Sequence, residues 1–157
     1  MVRADIETIA AVARQADRDE MLACASATVA ECLCVGLGQS LRAWVIESDG
    51  IALAAVGDTI AGIGTGVPWM VTTDHIATDP RGFLRASKAV LVEMLQRHQQ
   101  LINYVDARNA AAIRWLAWLG FTIDEAVPYG PQGLPFHKFH MSAGKACTGS
   151  DLFAGQP

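Results

Sequence analysis

Lysine and arginine are in the minority in this chain, 12 against 16 aspartates and glutamates, with a net charge of −4 and a pI near 5.5. A face that neutralises many phosphates needs a surplus of cations. The balance therefore argues against a large nucleic-acid-binding surface and leaves only a local patch of Arg81, Arg85, Lys88 and Arg97 to consider. Long apolar runs are missing as well. The hydrophobic fraction of 52% and mean hydropathy of +0.26 look membrane-like, but Ala and Gly inflate both. No stretch reaches the roughly 18 uninterrupted apolar residues of a spanning helix, so no membrane partner is expected. The opening stretch MVRADIETIAAVARQADRDE carries acids throughout and lacks an apolar signal core, which makes a cytoplasmic protein the expectation. Cysteine shows no paired metal-ligand spacing: Cys24, Cys32, Cys34 and Cys147 are scattered, and Cys32 and Cys34 would lie on different faces of a helix. Reduced, mostly buried thiols are expected, with no disulfide and no metal. No internal repeat or low-complexity block divides the 157 residues, a length that suits one domain around one core.

The patterns that are present alternate between two periods. A short strand is expected at Met1–Arg3. ADIETIAAVARQ then places Ile6, Ile9, Ala10 and Ala13 on one helical stripe, and DRDEMLACASATVAECLCVGLG continues as a second helix from an acidic, cap-like start. SLRAWVIES and GIALAAVGDT flank Asp49-Gly50, a strong two-residue hairpin signal, and AGIGTGVPWMVTTD adds another strand to the meander. PRGFLRASKAVLVEMLQRH opens with Pro80, favoured early in helices, and LINYVDA behind it has the length of a buried strand. NAAAIRWLAWLGF is a further helix with Gly120 as its stop, and FTIDEAVPYGPQGLPFHKFHM forms two strands around a Pro/Gly-rich connection. His137 and His140, three apart on a strand, would point to opposite faces and share no metal. The order is β, αα, βββ, α, β, α, ββ. It implies an α+β (α/β mixed) domain over residues 1–141, a mostly antiparallel twisted sheet of about seven strands with about four helices on its faces, and a loose tail over 142–157.

The residues Asn109, Ala112, Ile113, Arg114, Leu119, Gly120 and Phe121, with the preceding LINYVDA, resemble the "N..AIR.Y..LGF" signature of the GNAT acyl-CoA N-acyltransferases. The element order extends the resemblance across almost the whole chain. It implies a GNAT-like fold, acetyl-CoA or CoA as cofactor, and a primary amine on a small molecule or a protein as acyl acceptor. The main chain at Trp69, Met70 and Val71 would hold the pantetheine and any thioester oxygen. Arg81, Arg85 and Ala86 match part of a Q/R-x-x-G-x-G/A loop whose main-chain N–H groups cradle the pyrophosphate at a helix start. Asn109 would fix the CoA arm, although as a plain N-cap it needs no ligand.

Two positions depart from the enzymatic pattern. Leu84 stands where the central loop Gly should be, and Leu116 stands where many members carry the Tyr that reprotonates the departing thiolate. Leu cannot transfer a proton. Candidate replacements are Asp74 and His75 just past WMVTT, and Asp106 after NYVDA, all at strand ends. GVPWMVTTD, FLRASK, NYVDARN and VPYGPQGLPFHKF further resemble GNAT-like proteins of short-tailed bacteriophages described as internal virion protein A. That likeness implies a phage-encoded chain working in the host cytoplasm or the virion. It opens an alternative, a non-catalytic virion or assembly protein that keeps the fold and binds other virion proteins or a second copy of itself.

Overall fold

The protein is described by a computed structural model covering residues 3–146. Three helices open the chain, α1 (Arg3–Ala11), α2 (Gln15–Ala25) and α3 (Val29–Gln39). Strands β1 (Arg42–Ser48), β2 (Ile51–Gly62) and β3 (Thr65–Thr72) follow, and a 3-10 turn at Asp74–Thr78 leads into α4 (Pro80–Arg97). The chain continues through β4 (Gln100–Asp106), α5 (Ala110–Leu119), β5 (Thr122–Tyr129), β6 (Leu134–Ser142) and a short α6 (Ala143–Ala146).

Two expectations about the N-terminal part need correction. The strand foreseen at Met1–Arg3 falls on Met1 and Val2, which lie outside the described residues, and on Arg3, which begins α1; the described sheet therefore has six strands. The single helix foreseen over residues 17–38 is two. Ser26 turns left-handed (φ 51°) and closes α2, while Thr28 starts α3 with a capping box. Its hydroxyl accepts from the Glu31 N–H, and the Glu31 carboxylate accepts from the Thr28 N–H at 2.8 Å. Of the tail foreseen over 142–157, Ser142 ends β6 and Ala143–Ala146 form α6, while residues 147–157, Cys147 among them, lie outside the described residues. The remaining cysteines are free thiols, and Cys34 is exposed rather than buried.

The sheet runs β1-β2-β3-β4-β6-β5 and is antiparallel except where β3 meets β4. Asp49 and Gly50 both take positive φ in the turn joining β1 to β2, as a two-residue hairpin requires. Both faces of the sheet are covered. Ala54 and Val56 of β2 pack with Phe83, Met94 and Leu116 of α4 and α5, whereas Ala55 and Val71 pack with Ile6, Ile9 and Leu33 of α1 and α3. At the far end of α4 the fully buried Asp58 carboxylate is gripped by Arg97 (2.8 Å) and by His98 Nε2 (2.7 Å). Arg97 is thereby withdrawn from the basic patch, and Lys88 lies over the Trp118 ring.

Trp69 illustrates how glycine shapes the sheet. Its indole lies over Gly57 on the neighbouring strand and against Gly36 of α3, and its Nε1 donates to Ser40 Oγ at 2.8 Å. A Cβ on Gly57 would sit 2.5 Å from the ring. Gly57→Ala is accordingly expected to destabilise the fold by about 1–3 kcal/mol through overpacking, with a shift in tryptophan emission, both read by urea unfolding followed by fluorescence.

Candidate functional site

Parallel pairing between β3 and β4 covers only Thr65 with Gln100 and Gly66 with Leu101. Beyond that point the strands part, and three groups deal with the main chain left behind. The Asn103 side chain wedges into the gap, donating to the Pro68 carbonyl at 2.8 Å and accepting from the Tyr104 N–H. At the other end of β3 the connection between α1 and α2 takes the place β4 has left: Arg14 N–H donates to the Thr72 carbonyl, and Asp74 N–H to Val12. The Asp17 carboxylate accepts from the Thr72 N–H and hydroxyl and is ion-paired with Arg14 at 3.0 Å.

Main-chain polar groups of a strand alternate in direction with a period of two. Thr73 donates to Leu53 of β2, so odd-numbered residues here face β2, while Pro68 and Thr72 face the gap. Met70 is the residue between them. Its N–H and C=O point into the opening, whereas those of Trp69 and Val71 belong to the β2 ladder.

The opening leads into a cavity of about 360 Å³. Its walls are apolar for the most part, from Met21, Met70, Phe83, Leu84, Trp115, Leu116 and Phe139, with Asn103 and Tyr104 on the β4 side. Trp115 Nε1 is buried without a hydrogen-bond partner, and Leu116, at the expected acid position, is core. The cavity also reaches α2, where half-buried Glu20 lines it. Asn109 Nδ2 donates to Glu20 at 3.1 Å, while Asn109 Oδ1 accepts the Ala112 N–H. Burial pushes the Glu20 carboxyl up to about 7, and the negative charges of Asp17 and Asp106 add to the effect against the Asn109 hydrogen bond.

The foreseen site residues divide between cavity and surface. Trp69, Met70 and Asn109 line the cavity, with Asn109 acting as the helix cap while its amide also reaches Glu20. Val71 is buried beneath the sheet, and half-buried Ala86 packs against the core on the α4 side. Asp74 and His75 belong to the 3-10 turn and are not among the lining residues; Asp74 is exposed. Asp106 is buried beside Arg108. Burial works against its charge, but the side chain and main chain of Arg108 outweigh it and hold the carboxyl below its usual range. Arg81 and Arg85 are exposed on the first turns of α4. The start of that helix already carries an anion, since Asp79 accepts from the Gly82 N–H at 2.8 Å and from the Ser48 hydroxyl at 3.0 Å. These hydrogen bonds keep the Asp79 carboxyl below its ordinary range. Glu20, Asp17, Asn103 and Asp79 were not singled out from sequence.

Solved structures share this architecture. A ribosomal-protein-alanine N-acetyltransferase from Brucella melitensis superposes with a TM-score of 0.68 at 15% identity, over 90% of this chain and 96% of that one. The structure of AAC(6')-Ib in complex with ribostamycin and coenzyme A gives 0.69 at 15% identity, over 96% of each chain. A spermidine N-acetyltransferase chimera from Vibrio cholerae and hSSAT gives 0.64 at 11% identity, over 94% and 95%. The fold is that of the GNAT acetyltransferases. At these identities the likeness concerns the GNAT fold alone. No protein-family model and no curated sequence matches the chain.

The raised Glu20 carboxyl has a stability consequence. Folding favours its neutral form, so its contribution is fully present below the ordinary value of 4.5 and is lost as pH rises through about 7. Glu20→Gln keeps an acceptor for Asn109 without the charge. The variant is expected to be more stable than the parent above this window by about 1–3 kcal/mol, allowing for solvent screening, and to match it below, as measured by urea unfolding across pH.

Proposed function

We propose that this chain is an acyl-CoA-dependent N-acyltransferase that moves an acetyl group to a primary amine by direct attack within a ternary complex. The observation that carries the proposal is the parted β3–β4 pair, with the Met70 N–H and C=O facing an apolar cavity of about 360 Å³. A pantetheine arm is a chain of amides, and such a strand edge offers the matching donor and acceptor. The Met70 main chain would hold that arm, Arg81 and Arg85 would meet the phosphates from the exposed start of α4, and Asn109 would act by fixing the start of α5. Ala86 packs on the core side of α4. Acetyl-CoA would supply an activated acyl group with a thiolate leaving group. The Met70 N–H is then available to donate to the oxygen that gains charge as an amine attacks, and the apolar walls keep water from competing.

A second reading, the non-catalytic virion or assembly protein, is favoured by one feature. The Asp79 carboxylate already stands at the α4 start, where a pyrophosphate would have to approach. Charge alone distinguishes the two readings, because Asp79→Asn retains a capping side chain and removes the repulsion.

Calorimetric titration with acetyl-CoA and CoA is expected to show saturable binding that Asp79→Asn tightens by about three- to tenfold and Arg81→Ala with Arg85→Ala weakens. Absence of binding at millimolar ligand by both the parent chain and Asp79→Asn would leave the assembly reading standing. Met70→Pro removes an N–H that takes no part in the β2 ladder. It is expected to lower kcat for acetyl transfer by about 100-fold or more, with the fold retained by circular dichroism.

A further inference from the structure

The acids around the cavity are not equivalent. Asp17 is held by Arg14 and Thr72, and Asp106 by Arg108. Glu20 makes no ion pair among the described residues: its carboxylate accepts from the neutral Asn109 amide and from the Asp106 main chain, and Arg108 acts on it only at longer range. Glu20 lines the cavity from α2, whereas Pro80, Phe83 and Leu84 line it from the start of α4. Beside Glu20 the walls are Met21 and Tyr104, and the Tyr104 ring is stacked on Tyr129 at 4.1 Å between centroids. The hairpin carrying Tyr129 is braced against α2, with Gln132 donating to the Leu22 carbonyl and Gly130 packed so close to Ala23 and Cys24 that a Cβ would meet their main chain.

We infer that the α2 end of the cavity is the acceptor subsite, built for a primary monoamine with an apolar or aromatic body, and that Glu20 both anchors its ammonium group and accepts its proton. The inference rests on the N-acyltransferase reading for its chemistry but not for its binding event. One carboxylate without an ion-pair partner fits one cation; a polyamine or a polyaminated sugar would need further free acids, and the neighbouring Asp17 and Asp106 are paired. The apolar walls favour a hydrocarbon or aromatic stem behind the ammonium.

The proton inventory closes. Glu20 as carboxylate takes one proton from R–NH3+, leaving R–NH2. The nitrogen lone pair attacks the thioester carbon, an N–C bond forms as the C–S bond breaks, and the second nitrogen proton leaves with sulfur as the thiol. Glu20 then returns its proton to solvent. Burial sets the Glu20 carboxyl near neutrality, where it is a competent acceptor for this step. The charged and titratable groups facing it are Asp17 and Cys24 from α2, and Asp106 and Arg108 from the end of β4; the Cys24 thiol is itself pushed up to about 11, by burial first and by Glu20 second.

The test is a titration of the chain with 2-phenylethylamine in the absence of any thioester, followed by amide shifts in nuclear magnetic resonance, with spermidine as comparison. Saturable shifts at Met21 and Tyr104 are expected, with affinity rising as pH passes through about 7. In Glu20→Gln the affinity is expected to fall by about tenfold or more and to lose its pH dependence, while the amide spectrum elsewhere stays that of the folded chain. Equal affinity in Glu20→Gln, a pH-independent affinity in the parent chain, absence of saturation, or tighter binding of spermidine would each overturn the inference. Because the amine is read without acetyl-CoA, this failure is separate from failure of the acyltransferase reading, which shows in the CoA titration.

Discussion

The parting of β3 from β4 is the constraint on which the site depends. Two parallel strands in mid-sheet would ordinarily satisfy each other along their length, and a buried main-chain group without a partner costs about 1–3 kcal/mol. Here the cost is met locally. Asn103 substitutes for the ladder at Pro68, and Arg14 with Asp17 substitutes for it at Thr72. Met70 remains between these repairs, with its polar groups directed into the cavity. The N-terminal helices are thus part of the site rather than an appendage, because α2 and its leading loop are what close the far end of the gap.

Electrostatics in the cavity follow from its walls. With apolar surface on most sides, each carboxylate must be paired, hydrogen-bonded or partly neutral. Asp17 and Asp106 take the first course with Arg14 and Arg108. Glu20 takes the last, because it has no ion-pair partner among the described residues and Asn109 offers only an amide. Asp79 illustrates a different solution, a half-buried carboxylate stabilised by a helix start and a serine hydroxyl.

Much of the architecture was legible because it is local. The Asp49-Gly50 turn, the Pro80 helix start and the Gly120 stop all rest on short-range conformational preferences. The break at Ser26 was also written locally, in Thr28 and Glu31 spaced as a capping box, but continuous helical spacing on both sides obscured it. Of the two roles foreseen for Asn109 the structure shows the helix cap, and it adds a contact that the sequence did not suggest, the hydrogen bond from the same amide to Glu20. Asp74 and His75 follow β3 as expected, yet the turn they form is held against α1 by Asp74 N–H and the Val12 carbonyl, and they lie off the cavity wall.

The sequence by itself determined the periodicities, the turns, the helix ends and hence the order of elements, because each is settled among residues a few positions apart. It also marked, in Leu84 and Leu116, where an acyltransferase pattern is broken. The tertiary structure alone decided the site. Glu20 meets Asn109 across 89 residues of chain, Asp17 meets Thr72 across 55, and Asn103 meets Pro68 across 35. No local preference encodes such pairs. Whether a carboxylate is neutralised, buried or poised depends on which distant side chain the packing of the helices and the curl of the sheet bring within about 3 Å of it.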